Sequence, residues 1–279
     1  MAVIGFVPHP QRPEAIECAE STAEWLRAEG HQARLLYAPA AQLDERGMAA
    51  LDGLDLAVSL GGDGTMLRTV DLVVSRGIPV LGVNLGHLGY LTEVGPLDLC
   101  SALKRFLAGD FRLEHRMTLA VEIEAGGVRH QPVNALNDAV LQRLPSGHTV
   151  RLAVRLGGEP FLTYAADSII VATPTGSTAY NLSARGPIAS PRARVIIVTP
   201  VAPHMLFDRS LLLAPDEDVD FEVIEASQAE LVVDGLSRAT LSSGDVVRCR
   251  AGAHDARLVS FGGRDFHHIL KQKFRLADR

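Results

Sequence analysis

Apolar positions recur along this chain with two different periods, and the change falls near Gly109. Before it, short apolar runs alternate with longer amphipathic stretches. Ala2–Val7 reads as a buried strand. From Pro13 to Glu29, Ile16, Ala19, Ala23 and Leu26 share one face at helical spacing, and Gly30 stands where a helix would end. Ala33–Tyr37 and Leu54–Leu60 read as further strands, Thr65–Arg76 as a helix stopped by Gly77, and Ile78–Val83 as another strand. Pro96–Ala108 suits a helix, with proline at its start and Gly109 at its end. Strand and helix in this alternation predict a parallel, Rossmann-like sheet covered by helices.

Beyond Gly109 the period is two. Leu119, Val121 and Ile123 alternate with Ala120, Glu122 and Glu124; Val150, Leu152, Val154 and Leu156 with Arg151, Ala153 and Arg155; Val219, Phe221 and Val223 with Asp218, Asp220 and Glu222. Turn signals such as Gly126-Gly127, Gly157-Gly158 and Ser243-Gly244 separate such runs. Many short strands between turns predict an all-β domain, an antiparallel sandwich or barrel. Gly262-Gly263 closes it, and Asp265–Phe274 reads as one more helix. The expected division is therefore residues 1–109 as an α/β domain, 110–261 as an all-β domain, and 262–279 as a tail returning to the first.

Composition narrows the function. At 279 residues the chain has material for about two domains. With 47% hydrophobic and 22% charged residues, it is that of an ordinary globular protein. A formal charge of −6 and the lack of any basic stretch argue against a nucleic-acid partner. No apolar run approaches the roughly 18 residues of a membrane span, and the opening MAVIGFVPHP reads as a strand rather than a leader. Cys18, Cys100 and Cys249 are widely spaced, with no Cys-x-x-Cys, so neither disulfides nor a zinc site is expected, and a reducing cytoplasm is.

The candidate chemistry lies in LDLAVSLGGDGTMLR, Leu54–Arg68, where a strand runs through Gly61-Gly62-Asp63-Gly64-Thr65 into a helix. Glycines let the backbone approach a ligand, and free N–H groups at a helix start suit an anion. The loop is not a P-loop, and it lacks the third glycine of a dinucleotide fingerprint. A carboxylate among phosphate-facing amides repels the ligand unless it holds a metal or takes a proton from a hydroxyl. Both roles belong to phosphoryl transfer. The plain alternative is a glycine turn with Asp63 capping the next helix.

Four more segments accompany this loop: Gly82–Glu93 (GVNLGHLGYLTE), Ala135–Val140 (ALNDAV), Asp167–Pro187 (DSIIVATPTGSTAYNLSARGP) and Val232–Gly235 (VVDG). With GGDGT they resemble, in order and spacing along nearly the whole chain, the NAD kinase family, which phosphorylates NAD to NADP. GGDGT has relatives in diacylglycerol kinases, sphingosine kinases and phosphofructokinases; TPTGSTAY is the specific part. The resemblance implies an amino-terminal fold like that of diacylglycerol kinase and phosphofructokinase. It further implies that Asp63 takes the proton of the adenosine ribose 2′-OH as that oxygen attacks the terminal phosphorus of ATP or polyphosphate. Gly61, Gly62, Gly64, Thr65 and Arg68 would serve the phosphates. Asn84, Leu88 and Tyr90, with Asn137, Asp138, Thr178, Ala179, Tyr180, Ser183, His204 and Asp234, would contact NAD. Asp167 would meet the nicotinamide carboxamide. Mg²⁺ would arrive with the nucleotide, and homodimers or homotetramers would form through the β domain. No nucleic acid or membrane partner is implied.

Several residues keep a plainer reading beside the functional one. Asn137-Asp138 suits a turn or bulge, and Asp138 departs from the Asn-Glu usual in the family, one methylene shorter. The threonines and serine of TPTGST suit a helix cap, and Asp234-Gly235 is a common tight-turn pair. His87 fits a turn. Arg185, where relatives carry glycine, fits a phosphate contact or an intersubunit pair. Two rival functions are a lipid or sphingoid-base kinase and a non-catalytic dinucleotide sensor. The charge and TPTGSTAY count against the first, the intact GGDGT against the second.

Overall fold

The structure, a computed structural model, describes residues 1–36, 49–86, 89–144, 149–224, 228–262 and 265–276. By internal contacts the chain divides into two units, Met1–His115 with Ala256–Arg279, and Arg116–Asp255.

In the first unit, β1 (Val3–Pro8), α1 (Pro13–Ala28) and β2 (Gln32–Leu35) are followed by β3 (Leu56–Gly61), α2 (Asp63–Val73), β4 (Val80–Asn84), α3 (Leu99–Leu107) and β5 (Arg112–Arg116). The last residues expected of the second strand lie partly outside the described residues. Pro13 starts α1, where its missing N–H costs nothing, and Gly30 ends it with a positive φ of 83°. Ala15, Ala19, Ala23 and Leu26 of α1 share one core with Ile4, Phe6, Leu56, Val58, Leu60, Leu81 and, from α3, Leu99 and Leu103. All of β3 is buried, which explains its unbroken apolar run.

The strand order is β2-β1-β3-β4, with β1 parallel to both β2 and β3. The chain thus travels outward from β1 to β2, then crosses back and continues from β3 to β4 on the other side. The loops leaving the carboxyl ends of β1 and β3 part in opposite directions, and such a switch point is where parallel α/β sheets open a crevice.

The second unit carries thirteen strands, in chain order β6 (Leu119–Ala125), β7 (Val128–Arg129), β8 (Val133–Ala135), β9 (Asp138–Arg143), β10 (Val150–Leu156), β11 (Glu159–Ala166), β12 (Ser168–Ala172), β13 (Ile196–Val201), β14 (Leu211–Leu213), β15 (Val219–Val223), β16 (Ala229–Val233), β17 (Leu236–Leu241) and β18 (Val246–Ala251) among the described residues. The short helix α4 (Tyr180–Ser183) lies between β12 and β13. One sheet contains β11-β10-β15-β18-β6-β7 with β8 beside β6; the other runs β14-β13-β12-β9-β16-β17. The alternation of period two has its expected consequence. Val121, Leu152 and Phe221 of one sheet and Leu141, Val171 and Leu231 of the other meet in a single core, which makes the unit a sandwich. Strand β12 is buried on both faces. Its outer side, with Ile170 and Ala172, is covered by Ala184, Ala189 and Val195, so the chain after TPTGSTAY folds back over its own strand.

The unit boundaries fall at His115/Arg116 and Asp255/Ala256, each about six residues from the 109/110 and 261/262 read from the sequence. Strands β5 and β19 (Ala256–Ser260) both join the first sheet, β19 pairing parallel with β4. Both are short runs next to sandwich strands in the sequence, so period alone does not separate them. The tail after β19 includes α5 (Phe266–Phe274) and belongs to the first unit.

Candidate functional site

Strand β3 ends at Gly61, Gly62 is the extended residue before α2, and Asp63 is the first residue of the helix. The hydrogen bonds that its carboxylate accepts lead away from its own helix. Oδ2 accepts the backbone N–H of Tyr90 at 2.9 Å and Oδ1 that of Leu91 at 3.1 Å. Two consecutive amides from the segment after β4 therefore hold the carboxylate from one side. Gly89 makes the approach possible: a Cβ there would strike Asp63 Oδ1 and crowd Thr92. The loop segment itself is anchored, since Leu85 donates to Gly61 O at 2.8 Å and Asn84 Oδ1 accepts from Gly86 at 3.1 Å. Gly62 and Gly64 have nothing within 4 Å of a would-be Cβ, so the loop's outer side is open.

Thr65, expected beside phosphate, points elsewhere. It is 2% exposed, its hydroxyl packs on Gly61 without a hydrogen-bond partner, and its N–H donates to Gly62 O. Arg68, one turn on, is half-buried. The ring of Tyr90 lies under Lys273 Nζ of α5, 4.3 Å from its centroid. Burial, and then the Asp63 charge, push the Tyr90 phenol up. Leu88 and His87 lie outside the described residues.

The second unit gathers another set. Asp234 and Gly235 form the two-residue turn between β16 and β17, both with positive φ, 49° and 77°, as a type I′ turn requires. The turn reading is therefore correct, but it is not all that Asp234 does. Its carboxylate accepts the backbone N–H groups of Leu136 and Asn137 at 2.8 Å each and of Asp138 at 3.1 Å. Thr173 closes the same knot, its hydroxyl donating to Leu136 O at 2.5 Å and accepting from Gly176 N at 3.1 Å. A Cβ on Gly176 would collide with the Asn137 backbone. Asn137 directly precedes β9, and Asp138, its first residue, is buried, with 6% exposure. Burial, and then the Asp234 carboxylate, push the Asp138 carboxyl up to about 7.

TPTGSTAY forms a single 3₁₀ turn, Gly176–Thr178, and then α4. Ser177 is buried and bonds Pro174 O at 2.7 Å, a holding role; Thr178 and Ala179 are half-buried, and Tyr180 and Ser183 are at least partly exposed. The loop's real anchor is Asn181, which the sequence reading passed over. It is fully buried, donates to Ser177 O and Pro187 O, and accepts from Thr199 at 2.7 Å. Gly186 leaves it room, and Arg185 takes a left-handed φ of 63° at the bend while staying exposed.

Asp167 and His204 stand apart from this set. Asp167 precedes β12, where Arg143 Nε donates to it at 2.9 Å, and His204 N donates to Ala165 O at 2.7 Å. Asn137, Asp138 and Thr173 are at the opposite end of the same strand pair, since Asp138 faces Ala172 and Gln142 faces Ser168. Six steps of about 3.3 Å separate Asp167 from Thr173 by roughly 20 Å.

Among the described residues no three His, Cys, Asp or Glu side chains cluster as metal ligands, and no helix is long and apolar enough to cross a membrane. An open glycine loop with one oriented carboxylate at a parallel-sheet switch point has the parts a phosphotransferase needs.

Comparison with known proteins specifies the kind. The ATP-NAD kinase N-terminal domain family matches residues 44–111, and the ATP-NAD kinase C-terminal domain family residues 136–261. The NAD kinase of Heliobacterium modesticaldum is 40% identical over 284 aligned residues, covering 99% of both chains. That of Symbiobacterium thermophilum is 38% identical, covering 98% of this chain and 99% of its own. The fold is shared with yeast NADH kinase, solved in complex with NADH, at a TM-score of 0.82 and 24% identity over 100% of this chain and 89% of that one. It is also shared with an NAD kinase of Archaeoglobus fulgidus, solved in complex with ATP, at a TM-score of 0.74 and 23% identity over the whole of both chains. The chain belongs to the ATP-NAD kinase family.

Proposed function

We propose that this protein transfers the terminal phosphoryl group of ATP to the adenosine ribose 2′-OH of NAD, yielding NADP and ADP, with inorganic polyphosphate as a second donor to be tested. The observation that carries the proposal is the Asp63 carboxylate, gripped by the Tyr90 and Leu91 amides beside the open faces of Gly62 and Gly64. In this reading Asp63 accepts the 2′-hydroxyl proton while the 2′-oxygen bonds to the terminal phosphorus. The bond from that phosphorus to the bridging oxygen breaks, ADP leaves with its electron pair, and Asp63 gives its proton to water. Holding the carboxylate by backbone amides fixes its direction before substrate arrives, where misplacement by an ångström is expensive in rate. Mg²⁺ arriving with the nucleotide would supply neutralisation of the donor's charge.

Gly61 shapes the loop, Arg68 answers the phosphates, and Asn84 and Tyr90 border the acceptor. Asn137, Asp138, Thr178, Ala179, Tyr180 and Ser183 contact the dinucleotide, and Asp234 holds Asn137-Asp138 in place for that task. The roughly 20 Å between Asp167 and Thr173 supports a further element of this reading. Asp167, with His204, serves the nicotinamide end in the site of a second copy, in a homodimer or homotetramer built through the β unit. The three cysteines are free thiols, consistent with a cytoplasmic protein, and neither nucleic acid nor membrane is a partner.

The test is NADP formation by the purified protein with ATP, Mg²⁺ and NAD, measured through a coupled NADP-specific dehydrogenase. Turnover on diacylglycerol but not NAD would overturn the proposal in favour of a lipid kinase. Tight NAD binding without turnover would make the protein a sensor.

A further inference from the structure

We propose that Arg12, together with His9 and Arg68, cradles the donor's phosphate chain in the crevice between the carboxyl ends of β1 and β3. The ligand class is an oligophosphate, whether the tail of a nucleoside triphosphate or an inorganic chain. The inference rests on the phosphoryl-transfer reading of the same loop and adds to Arg68 two residues, Arg12 and His9, that no motif contains.

The geometry begins with the stitching of the β1 loop to β3. His9 N donates to Leu60 O at 2.9 Å, so the loop leaving β1 runs directly against the strand end that becomes the glycine loop. Arg12 then reaches across that end. Its Nη1 donates to Leu85 O at 3.3 Å, and Leu85 is the residue whose own N–H meets Gly61 O. The same nitrogen stands 3.4 Å from where a Cβ on Gly86 would be. The half-buried Arg12 thus spans the switch point from the β1 loop to the segment that holds Asp63.

Neither Arg12 nor Arg68 forms an ion pair with a carboxylate among the described residues, whereas Arg105, Arg143, Arg194 and Arg250 each do. Burial first, then Arg68 and Arg12, hold the His9 imidazole below its ordinary range, with Glu14 acting weakly the other way. Both guanidinium charges therefore act on this histidine, and Arg12 is the one that a hydrogen bond places against the segment beside the glycine loop. A guanidinium that forms no ion pair within the chain keeps its charge for a bound polyanion. An arginine fork has five N–H donors in a plane, and Arg12 spends one on Leu85, leaving the others for paired phosphate oxygens.

The experiment compares Arg12→Ala, Arg12→Gln and the unaltered protein, full length, in steady-state kinetics and in calorimetric titration with tripolyphosphate. Removing such charge-assisted hydrogen bonds should raise the KM for ATP roughly 10- to 100-fold while the KM for NAD stays within about twofold. Tripolyphosphate affinity should fall in parallel, and polyphosphate used as donor should suffer the same loss. Arg12→Gln keeps a donor for Leu85 without the charge and should behave like Arg12→Ala. Unchanged ATP KM and tripolyphosphate affinity would reduce Arg12 to a strap between loops and overturn the cradle. So would a rise confined to NAD, or recovery of wild-type ATP KM by Arg12→Gln. Tripolyphosphate binding that depends on Arg12 in a protein making no NADP would instead overturn the function and leave the cradle standing.

Discussion

In the first unit Asp63 accepts two consecutive backbone amides from the segment after β4; in the second, Asp234 accepts three from Leu136 through Asp138, where β9 begins. The device is the same: a carboxylate satisfied by main-chain N–H groups of a distant stretch. What differs is the surroundings. Asp63 stands beside two glycines whose outer faces are empty, so its remaining lone pairs can meet a ligand. Asp234 sits in a tight turn beside the nearly sealed Asp138, and its charge acts on that neighbour. Both carboxylates are half-buried; bare glycines flank the first, whereas the second faces a buried carboxyl.

Removing the first carboxylate's charge is the sharpest way to break this contrast. Asp63→Asn should lower kcat by about 10²- to 10⁴-fold with NAD binding largely kept, measured by coupled assay and by titration. Near-wild-type turnover would end Asp63's role. Next comes the grip itself. Gly89→Ala places a methyl against Asp63 Oδ1, and should lower kcat by about 10²-fold by displacing the carboxylate. An unimpaired variant would mean that the Tyr90 and Leu91 contacts do not orient it.

The remaining tests concern the second unit and should move stability more than chemistry. Unfolded, Asp138 titrates near about pH 3.9; folded, burial and the Asp234 charge raise it to about 7. Between those values the native protein holds a proton that the unfolded chain has released. Stability from this group is thus present below the lower value and lost as pH rises through the upper one. Denaturant unfolding of the wild type should show a decline on the order of 4 kcal/mol between about pH 4 and pH 8 that Asp138→Asn lacks. Identical slopes would show that Asp138 does not titrate there. The smallest effect belongs to Asp234→Asn, which tolerates the left-handed turn but loses an acceptor for the amides. It should cost about 1 kcal/mol at neutral pH and flatten the same decline by removing the nearby charge.

The candidate site was legible because it is written in residues whose intrinsic properties carry the message. Two glycines, an aspartate and a third glycine between an apolar run and a helix pattern announce a close approach and a charge at a helix start. The sandwich was legible for a similar reason, since side chains that point alternately to core and solvent impose a period of two. The holding contacts were not. Asp234 looked like a turn residue or a ligand, and only β16 lying beside β9 brings its carboxylate to the Leu136–Asp138 amides. Asn181 looked like one polar residue among many, and only its burial under the returning chain makes it an anchor. Arg12 carried no motif, being simply the residue before a helix-starting proline.

Local preference, set by side-chain shape, backbone freedom and hydropathy, is a property of neighbours in the chain, and from it came the two architectures, the helix ends and the glycine loop with Asp63. Strand order is a property of partners far apart in the chain. It alone set β1 beside β3, carried Arg12 across to Leu85, and drew β5 and β19 into the first sheet. The physical reason is that a hydrogen-bonded ladder satisfies backbone groups equally well with any partner of suitable pattern, so which pairing forms depends on how the whole core packs.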